Sequence, residues 1–412
     1  MDAIIVGGGI SGLVCANKLT DAGVNVSLFE AADAIGGRIR TDLVDGFLLD
    51  RGFQVFLTDY PEAKSMLDYD ALDLKSFEPG ALIQIDGKTD RLVDPWRRPQ
   101  HILATAMSAA GTLGDKLRVA GVRRTTSRGS VAELYESEER TTLEWLHDRG
   151  FSDSMIRSFF RPFFGGVFLD QKLETSSRLF EFLFRMFSGS EVTVPAKGME
   201  EIPRQLAQRL AEGTIRTNCR VQEVEGQTVT LENGEQHSAD VVVMATESPF
   251  AKDQFGEDLA NVNSDYRSVK CIYFAASAPP FAEPILMLNG DGKGPINNLC
   301  VPSQVSSAYS TSGEALVSVT CLDSDSTQEG VRTHLTEWFG LGVAGWRHLK
   351  TYDIPRALPV QSPPVLATVE KSPRVRTGAY VCGDYLDTAS INGAMASGRR
   401  CAEAILADVA RS

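Results

Sequence analysis

Four short segments carry residues whose types and spacing can do chemistry. The first is Gly7-Gly8-Gly9-Ile10-Ser11-Gly12, which contains G-x-G-x-x-G. In such a turn Gly7 permits the sharp bend, Gly9 lets backbone approach a pyrophosphate, and Gly12 lets a helix pack close on a strand. Ile10 and Ser11 are its other candidate cofactor-binding residues. The second is Glu30-Ala31, where the carboxylate is placed to accept hydrogen bonds from an adenosine ribose. The third, Gly36-Gly37-Arg38, is another glycine pair whose backbone can close on the same pyrophosphate. The fourth lies near the C-terminus, at Gly383-Asp384 and Ser390-Ile391-Asn392-Gly393-Ala394. Ser390 and Asn392 are good cap residues. A helix starting there aims its free N–H groups and dipole at developing negative charge.

The elements needed to position these residues are legible around them. Asp2–Val6 reads as a buried parallel strand, Ile10–Ala22 as a helix and Val24–Glu30 as a second strand. A G-x-G-x-x-G alone is weak evidence, but strand, turn, helix, strand and acid in this order point to a dinucleotide site. Tyr380–Cys382 reads as a buried strand, and residues 392–409 as a helix with Met395, Ala402, Ile405, Leu406 and Val409 on its apolar side. Between them, 217–224 and 228–231 read as strands, Asn233-Gly234 as a hairpin turn and 239–246 as a further strand.

The segment Gly36-Gly37-Arg38-Ile39-Arg40-Thr41, with the paired Gly383-Asp384 strand and 390–398 helix start, resembles a large flavoprotein group. That group includes the flavin-containing amine oxidases, phytoene desaturases and protoporphyrinogen oxidases. The resemblance implies FAD. It places Glu30 on the adenosine ribose and Arg38 near pyrophosphate and flavin. Asp384 falls on the ribityl or phosphate region, and Ile391, Asn392, Gly393 and Ala394 at the isoalloxazine edge. It puts Val221 against the adenine, a position that plain core packing explains equally well, and Ala245 and Thr246 beneath the cofactor. Asp50-Arg51-Gly52-Phe53-Gln54 aligns with the segment passing under the flavin. Gly52 would permit close approach, while Phe53 and Gln54 would touch ring or substrate; Gln54 could instead hydrogen-bond backbone. Amine oxidases of the group keep a lysine bridged through water to flavin N5, and Lys270 matches that position. A lysine in an apolar strand needs a partner or a wet cavity, or else sits on an edge strand to block aggregation. The candidate catalytic residues are therefore Lys270 and Gln54. The second tyrosine of the amine oxidase cage is replaced by Ala389-Ser390.

Composition bounds the rest. The chain has 412 residues, 43% hydrophobic and 23% charged, with net charge −13; that suits two globular domains and disfavours general nucleic-acid binding. Seven scattered cysteines without a C-x-x-C pair argue against a disulfide framework or zinc site. They favour a cytoplasmic or other reducing compartment. No metal is expected. No signal or transit peptide is read before the first strand. The expected fold class is α/β. A Rossmann-like, discontinuous FAD-binding domain (1–79, 195–264 and 361–412) would carry an inserted α+β substrate-binding domain (80–194 and 265–360). The first insertion reads as mostly helical, the second as strands near 269–274 and 314–321 with a helix near 331–339.

Ten of the twenty phenylalanines fall between Phe151 and Phe187. Aromatics at helical spacing are more often core than pocket, yet this many favour an apolar pocket nearby. Residues 91–128 hold eight Lys or Arg against Asp94 and Asp115. That stripe is a solvated helical face, a peripheral contact with an anionic membrane, or a guide for an acidic substrate. The expectation is an FAD-dependent oxidoreductase removing hydride from a hydrophobic isoprenoid- or tetrapyrrole-like substrate, with oxygen or a quinone as electron acceptor. The alternatives are a flavin-containing amine oxidase releasing hydrogen peroxide and a flavin-binding protein without turnover.

Overall fold

In the computed structural model, which describes residues 1–411, two sheets organise the chain. The first has six strands, in the spatial order 215–216, 25–29, 2–6, 241–244, 379–381 and 374–376. Its central strands are parallel, and Ile4 pairs with both Ser27 and Val242. Parallel strands need both faces covered, which explains why Val241–Met244 is a run of buried apolar residues. The Ile10–Asp21 and Ile391–Val409 helices pack side by side. Their contact depends on one absent side chain. A Cβ on Gly398 would lie 2.3 Å from the Ser11 carbonyl oxygen.

The second sheet has seven strands: 347–359, 266–276, 315–321, 298–300, 286–289, 80–85 and 88–93, in that spatial order. Its members come from two distant stretches of chain, and Leu286–Asn289 pairs parallel with Ala81–Gln84 to join them. The first insertion is thus not wholly helical. Gly80–Ile85 and Lys88–Val93 form a hairpin, because Asp86-Gly87 takes up two consecutive left-handed conformations. Helices follow from Ile102 to Gly189. The strand Arg347–Pro359 is mostly half-buried or exposed, with only Tyr352 and Pro359 buried, and its sequence shows no clean alternation. The Asn233-Gly234 turn joins Thr228–Leu231 to Gln236–Ser238 rather than to the 241–244 strand.

The phenylalanine-rich segment is chiefly core. Phe160, Phe164, Phe168, Phe180 and Phe182 are buried, while Phe159, Phe163 and Phe187 are half-buried at its margin. The Leu113–Thr126 helix is held to this core by Asp115, the N3 residue of a capping box with Thr112. Burial alone would raise the Asp115 carboxyl. Hydrogen bonds from the amides and hydroxyls of Ser152 and Thr112 outweigh it and bring the group from 3.8 down to about 2.

Two outcomes follow from this packing. Gly398→Ala is expected to cost about 1–3 kcal/mol of stability by overpacking the helix pair. Gly342→Ala, whose Cβ meets nothing within 4 Å, is the control expected to leave the thermal midpoint unchanged. Because the Asp115 carboxyl is depressed on folding, its contribution is present above the ordinary carboxylate pKa and is lost as pH falls toward about 2. Asp115→Ala should therefore cost about 1–3 kcal/mol near neutral pH. The gap to the parent protein should narrow below about pH 4 in urea unfolding.

Candidate functional site

The glycine turn is built by backbone contact. Gly7 has φ +111°, and a Cβ there would lie 2.7 Å from the Ala245 carbonyl oxygen. A Cβ on Gly12 would lie 2.1 Å from the Gly7 carbonyl oxygen. Only glycine lets strand, turn and helix close so tightly. A Cβ on Gly9, by contrast, would meet nothing. The helix beginning at Ile10 has no side-chain cap, so its first N–H groups are available to a phosphate. Ile10 and Ser11 are themselves buried at the first turn.

Glu30 is fixed beside this opening. Its two carboxylate oxygens accept from the Gly8 and Ala32 amides at 2.7 Å each, with Ala31 between. Each oxygen retains a second lone pair for a ribose hydroxyl. Gly36, at φ +110°, donates its amide to the Gly8 carbonyl at 2.8 Å. A Cβ on Gly37 would come within 3.5 Å of the Gly9 Cα. The two glycine segments therefore meet, as their sequence suggested, and Ala245 and Thr246 form the floor beneath Gly7.

Arg38 joins the N-terminal and C-terminal motifs. Its guanidinium lies 2.7 Å from the buried Asp384 carboxylate and donates to the Ala357 carbonyl. Burial alone would lower this guanidinium, but Asp384 holds it above its ordinary value. At the second helix start, the Ser390 hydroxyl accepts from the Gly393 amide at 3.0 Å. Asn392 accepts from the Glu62 amide through its side chain. The Gly383 amide donates to the Ser397 hydroxyl at 3.0 Å, and Ala394 is buried one turn into the helix beside half-buried Ile391.

Three expected roles change. Gln54 donates its amide to the Arg38 carbonyl at 2.9 Å, so it positions the Arg38 loop. Val221 is buried among Val224, Val229 and Leu231, which leaves only its backbone for an adenine. The largest change concerns Lys270. Side chains alternate across a strand, and Tyr273 donates its hydroxyl to the Asp50 carbonyl at 2.8 Å. Val269, Cys271 and Tyr273 thus face Asp50–Gln54. Lys270 is on the other side with Ile272 and Phe274, bonded to the Ser326 carbonyl at 2.8 Å and paired with Asp353 at 3.2 Å.

The face turned toward Phe53 is weakly polar. Gly52 has φ +93°, and a Cβ there would meet the Ile354 methyl at 2.9 Å. Burial pushes the Cys271 thiol up to about 11, which keeps it neutral. Phe53 packs edge-on against Phe77. At the rim, Asp42 accepts from Tyr352, Lys350 and Arg51. Burial would raise its carboxyl, but these three donors hold it well below the usual range. Asp50, named above only as the start of the 50–54 segment, is buried behind it with Thr41 and Tyr309 as donors, and the Asp42 cluster was not legible as a unit. The one available signal was acid at 42 and 50 in otherwise apolar hairpin strands.

These residues fit FAD: an uncapped helix start with open space at Gly9, a fixed carboxylate at the ribose position, and a second helix start at Ser390 packed on the first helix. FAD, when bound, supplies two-electron chemistry by accepting a hydride at its N5 atom.

Comparison with known proteins agrees. Residues 10–406 match the model of the family described as flavin containing amine oxidoreductase. The protein of Arabidopsis thaliana named protoporphyrinogen oxidase 2, chloroplastic/mitochondrial, is 41% identical over 163 residues, 40% of this chain and 32% of that one. The carotenoid 3,4-desaturase of Haloarcula japonica is 36% identical over 104 residues, 22% of this chain and 21% of that one. The chain thus matches about a third or less of the length of these relatives. A structure of putrescine oxidase bound to putrescine superimposes with a TM-score of 0.72 at 16% identity, over 98% of this chain and 99% of that one; at that identity it speaks for the fold alone. With a family match that runs from the first helix to the last, the chain belongs to the flavin containing amine oxidoreductases.

Proposed function

We propose that the protein is an FAD-dependent oxidoreductase that removes hydride from a porphyrinogen-type tetrapyrrole, passing the electrons to oxygen or a quinone. A polyene of the carotenoid-precursor class is the second substrate of the same reading. The observation that carries it is the parity of the 266–276 strand. It turns Lys270 away and presents Val269, Cys271 and Tyr273 to the Phe53 segment. A site so poor in proton acceptors suits a substrate that needs none. Hydride loss from a methylene bridge between two pyrroles leaves a cation that the rings share, and a ring N–H proton then leaves to solvent. The curated relatives named for tetrapyrrole and carotenoid substrates support the same class.

In this reading Arg38 and Asp384 hold the cofactor loops together, and Gln54 keeps Arg38 in register. Phe53, Phe77 and the half-buried Phe159, Phe163 and Phe187 provide apolar surface for the substrate. The discontinuous division into a cofactor domain (1–79, 195–264, 361–412) and a substrate domain (80–194, 265–360) rests on the two sheets, which draw their strands from those stretches.

Anaerobic mixing of the yellow holoprotein with coproporphyrinogen, protoporphyrinogen, a carotenoid precursor and putrescine tests the proposal. Porphyrinogens are expected to bleach the flavin absorbance. Bleaching by putrescine alone, or by nothing in the panel, overturns it. Lys270→Met is expected to leave bleaching by the active substrate within about twofold of the parent rate, since a proton-handling role at the cofactor would be worth about 100-fold or more. A loss of that size would return Lys270 to the site.

A further inference from the structure

Nine large hydrophobic side chains are exposed among the described residues, and five of them fall between Trp96 and Leu117. Leu103 and Met107 lie four apart on one short helix, and Leu113 and Leu117 lie four apart on the next. Such spacing puts each pair on a single helix face. All four are between 62% and 84% exposed. The two faces are adjacent, because Lys116 reaches across and donates to the Ala106 and Ser108 carbonyls at 3.0 and 2.8 Å. Trp96, also exposed, has the Arg123 guanidinium of the second helix 4.7 Å from its ring centroid.

Leaving four such side chains in water is unfavourable, and contiguous exposed apolar surface marks an interaction site. The charge around it selects the partner. The stretch 91–128 carries eight basic residues and two acids on a chain whose net charge is −13; Arg91, Arg97, Arg98, Arg118 and Arg123 are paired with carboxylates, so the remaining cations decide the charge of the face. Arg124 and Arg128 are exposed, and no carboxylate pairs with either among the described residues. Two copies docked through this patch would bring these cations together. An anionic lipid surface would neutralise them while its acyl boundary takes the leucines and the methionine.

We infer that the Trp96–Leu117 patch is a membrane-docking surface that rests in the interface of an anionic bilayer, with Leu103, Met107, Leu113 and Leu117 inserted and Arg124 and Arg128 on the headgroups. No described helix is long and apolar enough to cross a membrane, so the contact is peripheral. The docking is independent of which substrate the protein oxidises.

Co-sedimentation of the holoprotein with phosphatidylcholine vesicles, with and without phosphatidylglycerol, tests it. Binding is expected to the phosphatidylglycerol vesicles and to weaken as salt rises. The combined variant Leu103→Ser, Met107→Ser, Leu113→Ser and Leu117→Ser should bind at least about tenfold more weakly. Its flavin content and thermal midpoint should match the parent. The double variant Arg124→Glu, Arg128→Glu, which touches no apolar side chain, should also lose about tenfold or more on phosphatidylglycerol. Absence of binding by the parent protein at low salt, or equal binding by both variants, overturns the inference. So does a parent dimer in sedimentation velocity that the four-site variant abolishes, since a second copy would then cover the patch.

Discussion

Three close approaches of backbone to glycine hold the candidate cofactor site together. Gly7 sits against Ala245, Gly12 against Gly7, and Gly398 against Ser11, each at a distance that excludes a Cβ. These contacts lock the 2–6 strand, the 10–21 helix and the 391–409 helix into one rigid unit. Both helix starts are thereby fixed relative to each other, one uncapped beside Gly9 and the other capped by Ser390. A cofactor with a pyrophosphate at its centre and a redox ring at one end is served by two such termini at a set separation. Packing of glycine against backbone sets it more rigidly than side-chain contacts would, because no rotamer can relax it.

The second constraint is parity along a strand. Moving one residue along 266–276 exchanges the face that meets Asp50–Gln54 for the face beneath the 328–339 helix. The consequence is chemical as well as geometric. Cys271 and Tyr273 face the flavin segment, and burial keeps both protonated. Lys270 finds its neutralising partner, Asp353, on the other side. The strand thus carries a lysine that its register turns away from the Asp50–Gln54 segment.

The cofactor half was legible in the sequence because its requirements are local. Glycine spacing, a strand-terminal acid and cap residues each report a backbone conformation within a few residues. The substrate half was less so. The Gly80–Ile85 and Lys88–Val93 hairpin joins a sheet whose other strands lie some two hundred residues away, and no local pattern states that pairing. Nor did the sequence show which face of the 266–276 strand meets the cofactor, because apolar residues occupy both faces. Gln54 carried two readings, and its bond to the Arg38 carbonyl decides for the backbone one.

Asp50 shows how the two halves are joined. Its carboxylate accepts from Thr41, Tyr309 and the Met199 amide, and its carbonyl accepts from Tyr273. These donors come from the 41–44 strand, the 307–309 turn, the segment just before the 201–207 helix and the 266–276 strand of the seven-stranded sheet. Burial raises the Asp50 carboxyl even with three donors present, so the charge costs stability at neutral pH relative to a solvated carboxylate. An apolar residue of similar size would fill the space and could stabilise the chain. It would not fix the direction of approach of three separate segments, as hydrogen bonds to one planar group do. The next residues in sequence are Arg51, Gly52, Phe53 and Gln54, the segment proposed to lie beside the flavin, and such a site requires its groups to be held to within about 0.5 Å of their working positions. The buried carboxylate is therefore best understood as a positioning device. It spends folding energy to hold the Arg51–Gln54 segment in register with the elements around it.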